Sequence, residues 1–287
     1  MAERRGLTAT LKGIAKKGLS AGPTLARRRG RRVVLCYHSI SDHTAFADLT
    51  PAAFDDHLDW LADHTSVVSL ADLAATHEDE RIRVALTFDD GYRDNHTQVL
   101  PRLLSRGWPA TFFLTTGLIE GTRQVREHFA AINRAPLEHI EGMSWSEVKE
   151  VMGEGMEIGA HTITHRNLAA LDPNTILAEL AGSKHLLEDR LGIEVSRAAY
   201  PFGRPRQHVD QTVEASAKAA GFSEAFAINF RPVAKDPTWS IPRFTITGDD
   251  VALLAAKVEG RLDALGWWQA TAPAWALRWV AFDPSAV

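Results

Sequence analysis

The strongest constraint on this chain is the alternation of short apolar runs with helical patterns along most of its length. Runs of strand character recur near residues 33–37, 66–70, 83–88, 110–116, 156–160, 198–201, 225–228 and 240–246. Between them lie helical stretches at 51–64, with Phe54, Leu58 and Leu61 on one side, and at 95–106, 144–152, 173–191 and 207–220. Continuously apolar strands are buried on both faces, and strand–helix alternation builds βα units around a mostly parallel sheet. The expectation is an α/β chain with one large core, for which 287 residues and 45% hydrophobic composition are ample. No repeat of fixed period and no low-complexity tract competes with that reading.

In such folds chemistry gathers at the C-terminal ends of strands, and two motifs fall there. Thr87-Phe88-Asp89-Asp90-Gly91 closes the run 83–88, and His161-Thr162-Ile163-Thr164-His165 follows 156–160. At a strand end followed by glycine the chain is turning, so Asp89 and Asp90 can both face one cleft. Histidines at i and i+4 share one side of a helical turn, within reach of one ion. One carboxylate and two imidazoles close three faces of a divalent metal and leave a fourth open, as a catalytic site requires. The second carboxylate stays free to act as a base.

Together with Ala199-Tyr200-Pro201-Phe202-Gly203, these motifs resemble, in order, the first three motifs of the polysaccharide deacetylases, carbohydrate esterase family 4 or NodB-homology domain. The likeness runs from about Val33 to Ile246. It implies a distorted (β/α)7 barrel and a metal-dependent hydrolase of carbon–nitrogen bonds other than peptide bonds. The implied reaction removes N-acetyl, or O-acetyl, groups from a polysaccharide or lipid-linked saccharide. The resemblance assigns Asp90, His161 and His165 to the metal and Asp89 to the general base. It assigns Tyr200, Pro201, Phe202 and Gly203 to substrate and oxyanion contact, through the backbone N–H of Phe202. Zinc is the expected ion, with cobalt or nickel suited to the same donors. An amidohydrolase acting on a small cyclic or linear amide is the alternative, because relatives with this barrel use the same metal set. A 2-His-1-carboxylate iron oxygenase is disfavoured, since Asp89 would then have no task; a silent glycan-binding module is disfavoured by the intact Asp89 and metal set.

Two departures from the commonest family pattern shape the rest of the site. The arginine usual just before the proline is replaced by Ala199, whereas Ser240-Ile241-Pro242-Arg243-Phe244 resembles the Ile-Pro-Arg strand of the branch whose third motif reads Ala-Tyr-Pro. Arg243 is therefore expected to keep Asp89 ionised. No histidine follows His208, which closes the usual route to a C-terminal general acid. Tyr37-His38-Ser39-Ile40 resembles the opening of a permuted branch, and this implies that His38 protonates the leaving amine; an unperturbed pKa of ~6.5 suits that task.

The remaining segments read as follows. Residues 1–32 form a basic tail, 33–265 the catalytic domain and 266–287 a Trp-rich segment holding Trp267, Trp268, Trp275 and Trp279. Ten of the 32 Lys and Arg and one acid lie in 1–32, so the remainder carries 22 bases against 35 acids, a net −13. An acidic body argues against a nucleic-acid partner. Leu7, Leu11 and Ile14 form a weak apolar stripe beside Lys12, Lys16 and Lys17, which allows peripheral contact with anionic lipid; a disordered arm is the competing expectation. With no 7-to-15-residue apolar h-region and no membrane span, the expectation is a cytoplasmic chain with membrane association through that tail. Cys36 is the only cysteine, so no intrachain disulfide forms. Residues 117–142 are expected as a loop or short helix over the cleft, and the tryptophans as packing over the barrel, a sugar-stacking face or a membrane-interface belt.

Overall fold

The computed structural model describes residues 30–42, 49–74, 81–233, 238–264 and 266. Eight strands follow the expected runs: β1 (Arg32–Tyr37), β2 (Thr65–Val67), β3 (Ile82–Phe88), β4 (Thr111–Leu114), β5 (Glu157–Ala160), β6 (Arg197–Ala199), β7 (Glu224–Ile228) and β8 (Ile241–Thr245). All pairings between them are parallel. The sheet runs β1-β8-β7-β6-β5-β4-β3-β2, and a further β1–β3 pairing closes it. β2 lies beside the start of β3, with Thr65 opposite Ile82, whereas β4 takes the same edge further on, with Thr87 opposite Thr111. The closed ring is therefore seven strands, β1 and β3 to β8, with β2 as a flap on one edge. This is the distorted (β/α)7 barrel.

Helices cover the outside. α1 (Pro51–His64) starts where Thr50 accepts from the Ala53 amide and Pro51 supplies the helical φ. α2 is Leu70–Ala74, and a π-helical turn, Asn95–Val99, leads into α3 (Leu100–Leu104). The stretch expected as loop or short helix holds α4 (Thr116–Ile119), α5 (Arg123–Asn133) and a 3₁₀ turn, Leu137–His139. α6 (Trp145–Gly153) opens with a Ser144–Glu147 capping box. α7 (Pro173–Leu191) runs from the Asp172 cap to Gly192, whose φ of 70° ends it. α8 (Gln211–Ala219) begins later than expected because Asp210 caps it, and α9 (Val251–Val258) is capped by Asp250.

Strand parity sorts the side chains into two layers. Val33, Leu35, Tyr37, Val84, Leu86, Phe88, Phe112 and Phe244 point outward into the main core beneath the helices. Val34, Ala85, Phe113, Ala199, Phe226 and Ile241 form a separate inner cluster. The inner space is tight: a Cβ on Gly159 would meet the Phe113 ring at 2.4 Å. Above this plug, the same inward parity brings Cys36 and His38 from β1, Thr87 and Asp89 from β3, and Arg243 from β8 to the C-terminal mouth.

The boundary expected after residue 32 shifts slightly. Arg31 is buried and its guanidinium pairs with Asp263 at 2.6 and 2.7 Å while donating to the Val258 carbonyl, tying the start of the barrel to its end. Residues 1–29 and the four C-terminal tryptophans lie outside the described residues. Among the described residues, no helix is long and apolar enough to cross a membrane.

Candidate active site

Asp89 and Asp90 leave the end of β3 in different directions because Asp90 takes a left-handed φ of 75° and Gly91 one of 82°. Asp89 keeps the inward parity of its strand. Its carboxylate receives a fork from Arg243, Nη1 to Oδ1 at 2.7 Å and Nη2 to Oδ2 at 2.6 Å, and Nη1 also donates to Thr87 Oγ1 at 3.1 Å. Both side chains are essentially inaccessible. Burial alone would raise the Asp89 pKa, but the Arg243 charge overrides it and holds the carboxyl well below the usual carboxylate range.

Asp90 meets the two histidines. Its Oδ1 lies 3.5 Å from His161 Nε2 and 3.3 Å from His165 Nε2, and all three residues are buried. The His161 Nδ1 sits 2.8 Å from the Ala199 carbonyl, which fixes the proton there and leaves the Nε2 lone pair facing Asp90. Burial lowers the His161 pKa to about 4 and holds that of His165 well below the ordinary histidine value. Both imidazoles are neutral near pH 7. One carboxylate oxygen and two neutral nitrogens with their ligand atoms within 4.8 Å of one another are the donor set of a divalent ion, and the residues present fit one.

The histidine segment is not the helical turn expected from its i, i+4 spacing. Residues 161–167 form a loop in which Thr162 (φ 66°) and His165 (φ 55°) are both left-handed. Glu179, on α7, shapes that loop: its carboxylate accepts the Ile163 and Thr164 amides at 2.9 Å each and the Thr164 hydroxyl at 2.5 Å. Thr162 Oγ1 accepts the His165 amide at 3.1 Å. The His165 ring is packed between Phe129 and Phe202, each 4.9 Å away, and His128 lies within hydrogen-bond reach of its carbonyl at 3.0 Å. Glu179 and Phe129 escaped the sequence reading, and His128 entered it only as one of several basic residues in the stretch 117–142. The sequence signal for Glu179 is its place between Ile176 and Leu180, on the apolar side of the helix.

The third motif divides. Phe202 (φ 58°) turns its ring onto His165, and Gly203 (φ 58°) follows where a Cβ would strike the Ile228 amide nitrogen at 2.9 Å. Pro201 is buried at the turn. Tyr200, expected in substrate contact, instead points into the outer core, because parity along β6 sends it outward; its hydroxyl donates to the Trp239 carbonyl at 3.0 Å. Its side chain braces the turn instead of lining the cleft.

His38 stands half-buried beyond the end of β1. A ring nitrogen lies 4.0 Å from Cys36 Sγ, and Cys36, His38 and Asp89 bring one ligand atom each to within 4.8 Å of one another. The segment after it is pinned to β3's exit. Ser39 Oγ donates to Asp94 at 2.5 Å, the Ile40 amide donates to Asp94 at 3.1 Å, and Asn95 donates to the His38 carbonyl at 2.8 Å. A cavity of about 410 Å³, lined by Ile40, Tyr92, Asp94, Gln98, His139 and Glu141 among others, opens along this segment.

Comparison with known proteins agrees with this geometry. The family model described as polysaccharide deacetylase matches residues 76–225, just over half of the 287-residue chain. The chain is 29% identical over 190 residues to YxkH of Bacillus subtilis (strain 168), a protein named for polysaccharide deacetylation, covering 64% of this chain and 60% of that one. It is 27% identical over 141 residues to the poly-β-1,6-N-acetyl-D-glucosamine N-deacetylase of Escherichia coli (strain K12), covering 45% of this chain and 20% of that protein. The chain thus spans less than two thirds of the length of these curated relatives. Among solved structures, the deacetylase PplD of Streptococcus pyogenes superposes with a TM-score of 0.65 at 22% identity, covering 79% of this chain and 98% of that one. IcaB from Ammonifex degensii gives 0.64 at 23%, covering 80% and 97%. These two share the barrel. The matched span holds Asp89, Asp90, His161, His165 and the turn at Pro201, and on that ground the chain belongs to the polysaccharide deacetylase family.

Proposed function

We propose that this chain removes acetyl groups from a polysaccharide or lipid-linked saccharide, by hydrolysis of an N-acetyl amide or, as the second choice, an O-acetyl ester. The observation that carries the reading is the convergence of Asp90 Oδ1 with the Nε2 atoms of His161 and His165 beside a second carboxylate held by a buried guanidinium. Asp90, His161 and His165 would hold one divalent ion, zinc by the donor set. When bound, such an ion lowers the pKa of water from 15.7 toward ~7 and polarises an acyl oxygen.

The chain's own groups do the rest. Asp89 accepts the water's proton; because the water is already acidified, a carboxylate kept weakly basic by Arg243 suffices. The Phe202 backbone N–H, presented by the left-handed turn, donates to the oxygen on which negative charge develops. His38, on the opposite edge of the mouth from the histidine loop, delivers a proton to the departing amine. The cavity beside Tyr92 and Asp94 takes the neighbouring part of the saccharide.

Asp89→Asn and Asp90→Asn test the division of labour, with metal content and acetate release from N-acetylated oligosaccharides measured on the same preparations. Asp89→Asn should abolish release and keep its metal; Asp90→Asn should lose both. Equal metal loss in the two variants would refute the assignment.

A further inference from the structure

Cys36 is an inward-facing, metal-ligating group at the barrel mouth that the proposed reaction leaves unused. It is completely buried, its thiol donates to Asp89 Oδ2 at 3.3 Å, and its sulfur lies 4.0 Å from His38 Nε2. A sulfur and an oxygen bound to one tetrahedral zinc ion, at about 2.3 and 2.0 Å, stand roughly 3.5 Å apart, and a sulfur and an imidazole nitrogen are separated similarly. The observed spacings differ from those by a few tenths of an ångström. Cys36 and His38 converge because His38, just past the end of β1, lies two residues after Cys36 and keeps its inward parity. Asp89 is held opposite them by Arg243.

We propose that Cys36 Sγ, His38 Nε2 and Asp89 Oδ2 form a second, inhibitory site for a thiophilic divalent cation, adjoining the Asp90–His161–His165 centre. Binding replaces the thiol proton: the sulfur–hydrogen bond breaks, the proton leaves to solvent and a metal–sulfur bond forms, with no change of oxidation state. The Oδ2 lone pair that now accepts the thiol proton becomes a ligand, and the Arg243 fork onto Oδ1 and Oδ2 is kept. A half-buried His38 provides the route in from the cleft. Donor type separates the two sites. The first offers oxygen and nitrogen only; the second adds sulfur and so selects softer ions. Occupancy ties up Asp89 and His38 together, so excess ion stops turnover. That inhibitory consequence rests on the roles given to those residues under Proposed function, whereas the existence of the site does not.

The test uses the full chain loaded with one equivalent of Zn²⁺ and titrated with Cd²⁺. Because Cys36 is the only cysteine, any cadmium–thiolate charge-transfer absorption in the ultraviolet reports this site alone. The band should saturate with about one further equivalent of cadmium in wild type. It should persist in a His161→Ala/His165→Ala variant, which lacks the first site, and require at least ~10-fold more cadmium in His38→Gln. Acetate release should fall in step with the band. In Cys36→Ser, which keeps a hydroxyl to donate to Asp89, the cadmium needed for half-inhibition should rise at least ~10-fold. A folded wild-type protein that shows no thiolate band in excess cadmium overturns the site, as does a band that His38→Gln leaves unchanged. Identical inhibition of wild type and Cys36→Ser overturns the inhibitory role. A chain that releases no acetate from any saccharide refutes the functional reading while leaving the band to decide the site.

Discussion

Glu179 has no direct part in the chemistry, yet removing it should dismantle the metal site. Its carboxylate makes the two backbone bonds that hold Ile163 and Thr164, at 2.9 Å each. A hydrogen bond to a charged acceptor contributes ~1.5–3 kcal/mol, so the pair contributes about 3–6 kcal/mol. Against it stand two non-glycine residues in the left-handed region, Thr162 and His165, at ~1–3 kcal/mol each. The two sums are comparable, so the loop keeps its shape only while the carboxylate is present. Glu179→Ala should weaken metal binding by about 10- to 100-fold, the usual loss when an outer-sphere partner is removed. Glu179→Gln should stay within about five-fold of wild type, because an amide oxygen can still accept both backbone bonds. Competition with a chromophoric chelator measures both variants, and circular dichroism checks that each is folded. Wild-type affinity in Glu179→Ala would show that the loop holds its geometry without the carboxylate and would refute the reasoning.

Four further outcomes follow from the same geometry. Arg243→Met breaks a fully buried pair, so it should cost about 3–5 kcal/mol in denaturant unfolding, and burial should then raise the Asp89 pKa, leaving acetate release low at neutral pH and partly restored at higher pH; an unshifted pH profile would deny Arg243 its role. Because the folded protein depresses the His161 pKa to about 4 and lowers His165 as well, protons should barely compete with metal between pH 7 and 5.5, under about two-fold, where two ordinary histidines would lose roughly 70-fold. By the same shift, the metal-free unfolded state binds more protons below pH 6.5, so stability should fall by about 3 kcal/mol for His161 alone as pH drops from 6.5 toward 4, visible in thermal melts. His38→Ala should reduce acetate release from an N-acetyl sugar by ~10²- to 10⁴-fold with metal kept, and release from an activated aryl acetate far less, since a phenolate departs without a proton; equal losses would remove His38 from the mechanism.

What was legible in the sequence follows from parity and punctuation. Apolar runs located every strand of the barrel, because parallel strands buried on both faces keep polar residues few and mostly at their ends. Arg243 could be singled out only by resemblance, yet parity explains its place: with Ile241 in the inner cluster, the residue two further on must point inward as well. The same count would have found Cys36 from Val34. Other features depend on backbone conformations that sequence spacing does not encode. His161 and His165 satisfy i, i+4 spacing, but the left-handed Thr162 between them shows that a loop held by Glu179 brings them together, and a pattern of two histidines cannot distinguish the two cases. Tyr200 differs for the opposite reason: the resemblance assigns its motif to the cleft, whereas the direction of its side chain is set by β6 parity.

Strain and charge at the mouth have a common logic. Of the six non-glycine residues with positive φ among those described, Asp90, Thr162, His165 and Phe202 are in this one site. Regular strands would splay successive side chains to opposite faces, so groups leaving β3, β5 and β6 can converge only if the chain turns sharply at each exit. Left-handed residues provide those turns, at a cost the surrounding barrel must offset. Burial then acts with opposite effect on the two residue types. It strips protons from His161 and His165, and it would add one to Asp89 but for the guanidinium of Arg243. The metal-free site therefore already holds neutral imidazoles and an ionised base, the protonation states the proposed reaction needs. Removing Arg243 should disturb the base while leaving the imidazoles neutral, because burial is the leading cause of their low pKa and the Arg243 charge adds only to the lowering at His161. Metal affinity in Arg243→Met should accordingly stay close to wild type while acetate release falls, and parallel loss of both would mean that the pair holds the barrel mouth together instead of setting the charge of Asp89.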